Sequence, residues 1–139
     1  MSCGAMPSRP ALVIDASAMV HLLLAPSGAT AISSAMSTHR SHVPAHFDAE
    51  VLSALGRLNR AGELDDTAVS VRLDHLGDLP LQREPLAPLL SGAWQRRHGV
   101  RLVDAIYLAL AERLDAVVMT TDERLVRAAQ GLARLPQDF

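Results

Sequence analysis

Four carboxylates carry the chemistry this sequence could perform: Asp15, Glu50, Asp104 and Asp122. Asp15 closes the apolar run ALVID, and Asp122 follows the run AVVMT at Thr-Thr-Asp. Short apolar, β-branched runs read as buried strands. Both acids then fall at strand C-terminal ends, where open α/β sheets collect their ligands. Glu50 sits in the patterned stretch 46–60, inside the apolar arc made by Phe47, Val51, Ala54 and Leu58. A buried carboxylate is costly alone, so Glu50 calls for an arginine, a metal or a proton. Asp104, in RLVDAIYLALAERL, lies at the rim of its helix's apolar arc. Each acid also has a local reading. Asp15 and Asp122 can cap the helices that follow them, and Thr120 and Glu123 have capping-box spacing. Glu50 can pair with an arginine, and Asp104 can answer the helix dipole. Taken together, four acids at strand ends and first turns suit Mg²⁺ or Mn²⁺, which take oxygen ligands. Converging carboxylates repel one another without a cation, and metal-assisted phosphoryl chemistry is their usual use.

The elements that must position these acids alternate. Strands are expected at 12–15, 41–43, 80–83 and 116–120, with a final edge strand at 133–135. Helices are expected at 17–24, 29–36, 46–60, 67–76, 86–98, 102–114 and 122–130. Pro26–Gly28, Gly62, Gly77 and Gly99 stand between or at the ends of these stretches, as helix stops often do. Strands separated by helices predict a parallel sheet covered on both faces, hence an α/β class. Residues 1–10, MSCGAMPSRP, lack apolar periodicity and are expected to form a flexible leader; residues 11–139 form one domain.

Composition removes many alternatives. All 13 basic residues are arginine. Without lysine there is no P-loop, Schiff-base or protein-kinase chemistry, and a receiver-type phosphorelay domain loses its usual lysine. There is no G-x-S-x-G elbow and no H-E-x-x-H. A single cysteine, Cys3, excludes a disulfide framework and a Cys-rich zinc site. Apolar runs fall short of the roughly 20 residues that cross a bilayer, so no membrane association is expected and the cytoplasm is the expected compartment. A net charge of −2 and four aromatic residues do not fit a protein that coats nucleic acid or stacks bases along a sheet. Five histidines (His21, His39, His42, His46 and His75) are scattered and read as surface or cap residues. Trp94 reads as an apolar helix-face anchor, Met119 as core, and Tyr107 as core or interface. Cys3 has no expected role.

The segments VIDASAMV, VPAHFDAEVLSAL, VRLVDAIYLALAERL and VVMTTDERLVRAA occur in this order. In order and spacing they resemble the PIN-domain nucleases, and most of all the VapC toxins of bacterial toxin–antitoxin pairs. The resemblance covers about residues 11–135. It implies a three-layer α/β/α sandwich with a central parallel sheet of four to five strands. It also implies an acidic quartet of Asp15, Glu50, Asp104 and Asp122 around Mg²⁺ or Mn²⁺, with Glu50 as a ligand or a water-positioning base. Ser17 and Thr120 match the family's supporting polar residues, while Ser53 stands where relatives often carry Asn.

The resemblance further implies hydrolytic cleavage of a structured RNA such as a tRNA or a ribosomal RNA loop, a homodimer, and inhibition by a small VapB-like antitoxin whose tail enters the acidic site. Arg96, Arg97 and Arg101, with His98 among them, could hold RNA phosphates or form a solvated helix end; Arg124 and Arg127 are similar candidates. Setting aside four metal-neutralised carboxylates turns the net charge from −2 to +2. Two other classes bear on the same residues. One is a PIN-fold module that binds antitoxin or RNA and cuts poorly. The other is a haloacid-dehalogenase-like phosphatase, which needs a second Asp where Ser17 stands and a lysine this chain lacks.

Overall fold

A computed structural model describes residues 8–139. Five parallel strands form one sheet: β1 Ala11–Ile14, β2 Arg40–Pro44, β3 Leu81–Glu84, β4 Val118–Met119 and β5 Ala133–Arg134. Their spatial order is β3-β2-β1-β4-β5. All five expected strands are present, and β5 lies at an edge as expected. The β4 ladder is shorter than the run 116–120, covering only Val118 and Met119.

Seven helices connect the strands: α1 Ala16–Leu24, α2 Thr30–Thr38, α3 Phe47–Arg60, α4 Asp66–Asp78, α5 Leu90–Gln95, α6 Leu102–Arg113 and α7 Glu123–Ala128. Strand order dictates their layers. The chain steps from β1 to β2 to β3 in one direction, then crosses back to β4 and continues to β5. Parallel crossovers are right-handed, so the two directions place their helices on opposite faces. Accordingly α1, α3 and α4 pack on one another, while α6 lies against β1, β2 and β4 and carries α5. The direction reverses between β1 and β4, which opens a crevice at their C-terminal ends.

Leu12, Val13 and Ile14 of the central strand are wholly buried, as are Val43, Phe47, Val51 and Leu55 on one side of the chain's midpoint and Tyr107, Val118 and Met119 on the other. This is the doubly covered parallel sheet that continuous apolar strand runs require. Gly62 ends the α3 region with φ of 77°, a left-handed turn suited to glycine.

Two expectations need correction. The stretch 86–98 is not one helix. Pro88 cannot donate a backbone hydrogen bond, and a 3-10 turn Ala87–Leu89 precedes the six-residue α5. Beyond it Arg96, Arg97 and Gly99 donate back only three residues, so the helix unwinds. Trp94 is therefore not an anchor: Ala93 takes the inward position, and Trp94 is 54% exposed with the Arg97 guanidinium 4.5 Å from its ring centroid. Met119 and Tyr107 are core, as expected. Of the leader, Cys3 and residues 1–7 lie outside the described residues. The Arg9 and Pro10 carbonyls accept from Arg40, and Arg9 donates to the Ser37 carbonyl.

Candidate active site

Asp15 leaves β1 directly into the crevice. Its amide donates to the Met119 carbonyl at 3.0 Å, which fixes the end of β1 against β4. Its side chain does not cap α1. Instead Oδ2 accepts from Ser17 Oγ and Thr120 Oγ1, each at 2.7 Å. A hydroxyl has one proton to give. Both protons go to Asp15, so the 3.1 Å Ser17–Thr120 approach reflects a shared acceptor rather than a third bond. Ser17 Oγ in turn accepts from the Thr121 amide, and Thr120 Oγ1 from the Asp122 amide. The two hydroxyls thus tie the end of β1 to the turn after β4.

Asp15 is only 7% exposed. Burial raises its pKa above the ordinary 3.8; the two hydroxyls oppose this, and the charges of Asp104 and Glu50 add to the rise. That mutual field places Glu50 and Asp104 within electrostatic reach of Asp15.

Glu50 stands in the first turn of α3. No arginine pairs with it among the described residues. Its Oε1 accepts from the Tyr107 hydroxyl at 2.7 Å and lies 3.3 Å from His46 Nε2. Tyr107 is fully buried. Burial, the bond to Glu50, and the charges of Glu50 and Asp15 push its phenol far above the usual 10.0, so it stays a donor. The His46 ring lies 5.1 Å from the Tyr107 ring, and Nε2 also faces the Val103 carbonyl at 3.1 Å. Two acceptors at one nitrogen assign the proton to Nε2. These contacts bind the N-terminal turn of α3 to that of α6.

Asp104, in the first turn of α6, accepts from Arg101 Nε at 3.1 Å through Oδ2. Asp104 holds the Arg101 guanidinium above its ordinary pKa, and the fields of Glu50 and Asp122 reinforce this. Asp122 behaves as its local reading expects. Its Oδ1 caps α7 by accepting from the Arg124 and Leu125 amides at 2.9 and 3.4 Å. Four helix N-termini therefore carry the four acids, each favouring negative charge.

One regularity unites them. In every acid one oxygen is engaged, while Asp15 Oδ1, Glu50 Oε2, Asp104 Oδ1 and Asp122 Oδ2 have no donor among the described residues. Hard carboxylate oxygens of this kind fit a divalent cation such as Mg²⁺. No three Asp, Glu, His or Cys side chains among the described residues are close enough to hold an ion as they stand.

The arginine candidates divide. Arg96 is ion-paired with Glu112. Arg97 bonds the Trp94 carbonyl and covers its ring. Arg101 and Arg124 are exposed, Arg101 paired with Asp104 and Arg124 standing 3.9 Å from Asp122. Ser53 accepts from Arg57.

Sequence reasoning missed His46 and Tyr107 as parts of the site. Spacing held the signal: His46 precedes Glu50 by four residues, and Tyr107 follows Asp104 by three, each one helical turn away. His42 also departs from the surface reading. It is 6% exposed in β2, with Nδ1 2.9 Å from Glu84 Oε1.

Fold and site together define a parallel α/β protein built around a carboxylate-lined crevice. A family model described as "PIN domain" matches residues 12–131. The chain belongs to the PIN-domain family, among its VapC-type members. It is similar to Ribonuclease VapC3 of Mycobacterium tuberculosis, 50% identical over 127 residues, covering 89% of this chain and 93% of that protein. Ribonuclease VapC1 of the same organism is 41% identical over 123 residues, covering 86% and 91%. The crystal structure of PAE2754 from Pyrobaculum aerophilum matches with a TM-score of 0.67 and 26% identity, over 94% of this chain and 86% of that one. No helix among the described residues is long and apolar enough to cross a membrane.

Proposed function

We propose that this chain is a metal-dependent endoribonuclease toxin of the VapC type, acting in the cytoplasm on a structured RNA such as a tRNA or ribosomal RNA loop. The observation that carries the reading is Asp15: a buried carboxylate at the β1–β4 crevice, its Oδ2 held by two hydroxyls and its Oδ1 left free. Similarity to relatives named ribonucleases supports the substrate class.

Asp15, Asp104 and Asp122 would hold Mg²⁺ or Mn²⁺, with Glu50 either a further ligand or the base that positions water. Such an ion, when bound, lowers the pKa of water and offsets charge on a phosphodiester. The chain's own groups do the rest. Ser17 and Thr120 fix Asp15, and Glu50 accepts a proton from the attacking water through its free Oε2. In-line attack leaves a 5′-phosphate and a 3′-hydroxyl without using the 2′-hydroxyl. Arg97, Arg101 and Arg124 are exposed cations for the RNA backbone, and Arg96 joins them only by leaving Glu112. A VapB-like antitoxin would neutralise the same acids with a basic side chain, and the active form is a homodimer.

A second reading, a PIN-fold module that binds antitoxin or RNA and cuts poorly, draws on the acids not being drawn together around an ion. Purified protein freed of antitoxin, incubated with total RNA, separates the two. Expected are discrete 5′-phosphorylated fragments in Mg²⁺ or Mn²⁺, absent in EDTA and with Asp15→Ala. Intact RNA in every condition favours the binding module.

A further inference from the structure

We propose that Tyr107, seconded by His46, is a positioning residue that fixes which oxygen of Glu50 faces the reaction. This rests on the ribonuclease reading of the site. Glu50 is the one acid of the four whose engaged oxygen is held from another helix by a fully buried donor, the Tyr107 hydroxyl at 2.7 Å. His46 Nε2 approaches the same Oε1 at 3.3 Å and bonds the Val103 carbonyl. A glutamate has three side-chain torsions and holds one orientation only against an entropy cost. The Tyr107 hydroxyl donating to Oε1, with His46 Nε2 standing 3.3 Å from the same atom, restricts that freedom and leaves Oε2 without a donor on a side chain that is 31% exposed.

The phenol suits this role better than a second cation would. An arginine on Glu50 would neutralise the carboxylate that must accept a proton. A neutral hydroxyl orients it and leaves its charge in place. Tyr107 also has no other acceptor among the described residues, so its bond to Glu50 is not shared. The neighbouring carboxylates behave differently. Asp15 is held by hydroxyls from its own strand-end turn and the turn after β4, while Asp104 is held by a surface arginine.

The chain has one tyrosine, so ¹³C-tyrosine labelling gives one ring signal. In metal-free protein, Glu50→Gln should move the Tyr107 Cζ resonance; an unmoved signal places the hydroxyl elsewhere and overturns the proposal. Tyr107→Phe keeps the ring and loses only the donor. With an unchanged circular dichroism spectrum, it should lower kcat roughly tenfold to a hundredfold, the scale for partners of active-site ligands, while KM stays within about twofold. A merely structural tyrosine would not split kcat from KM. In the double variant with Glu50→Gln the two losses should not multiply. Full kcat in Tyr107→Phe, or multiplying losses, would falsify the positioning role. If wild type cuts no RNA while the Cζ shift is present, the ribonuclease reading fails, and of the proposal only the contact survives.

Discussion

The acidic crevice has two halves built on different principles. In the inner half, Asp15 and Glu50 are gripped by neutral donors from within the fold: Ser17, Thr120 and Tyr107, with His46 beside them. In the outer half, Asp104 is paired with an exposed arginine and Asp122 with the amides of its own helix. Neutral donors orient a carboxylate and leave its charge to act on something else. An arginine satisfies that charge, and a cap spends the carboxylate on local stability. The inner half is therefore preorganised, while each acid of the outer half keeps one oxygen on a local partner. Within the inner half, burial is the chief cause that raises the Asp15 pKa.

Asp15→Asn should have the largest effect. It retains the size of the side chain and removes the inner charge, so cleavage should fall on the order of a thousandfold, as for other members of a catalytic unit. Stability should move the opposite way. The Asp15 pKa is raised on folding, so the folded protein holds this proton more tightly than the unfolded chain does. The stability it contributes is complete below the unfolded value near 3.8 and is lost as pH rises through the raised folded value. At neutral pH in EDTA, Asp15→Asn should therefore melt above wild type, and the gap should close as pH falls toward 4. Saturating Mn²⁺ should stabilise wild type and narrow the same gap by mass action. A neutral-pH melt below wild type would mean that the hydroxyl cradle outweighs the cost of burial.

Asp122 tests the outer half, with a smaller effect. Asparagine caps helices as well as aspartate does. Asp122→Asn should keep the melting temperature and lower cleavage roughly tenfold to a hundredfold. Asp122→Ala should lose activity similarly and also cost about 1 kcal/mol of stability through the lost α7 cap. Equal melting temperatures for the two variants would show that the cap adds nothing and that Asp122 is as free as a dedicated ligand.

Legibility in the sequence follows the same division. The five strands, their parallel arrangement and the strand-end positions of Asp15 and Asp122 were readable, because continuous apolar runs between helical stretches have few other folds. The strand-end and first-turn positions that singled out the four acids are where the structure places them, each at the start of a helix. What holds each acid was not readable. Glu50 was expected to need an arginine, a metal or a proton, and it took a phenol and an imidazole that are distant in sequence or one turn away. The readings of Tyr107 as core or interface and of His46 as a surface or cap residue did not supply Glu50 as their shared partner. The break of 86–98 into two pieces was signalled by Pro88. Trp94 looked like an anchor only while that helix was thought continuous.

Arg101 offers the smallest and finest test. Its side chain is 77% exposed, so the pair with Asp104 is worth a few tenths to about 1 kcal/mol and is screened by salt. The charges of Glu50 and Asp122 also act on it. Removing it has two opposed consequences. Asp104 is released, so Arg101→Ala should tighten Mn²⁺ binding by about twofold to threefold in calorimetry without RNA. The proposed phosphate contact is removed as well, so KM for RNA should rise by a similar factor and vary less steeply with salt. Raising the salt concentration should shrink the Mn²⁺ difference between the two proteins, because screening loosens the wild-type pair as the substitution does. Unchanged Mn²⁺ affinity at low salt would show that Asp104 is already free in solution, and the outer half would then be as ready for a cation as the inner one.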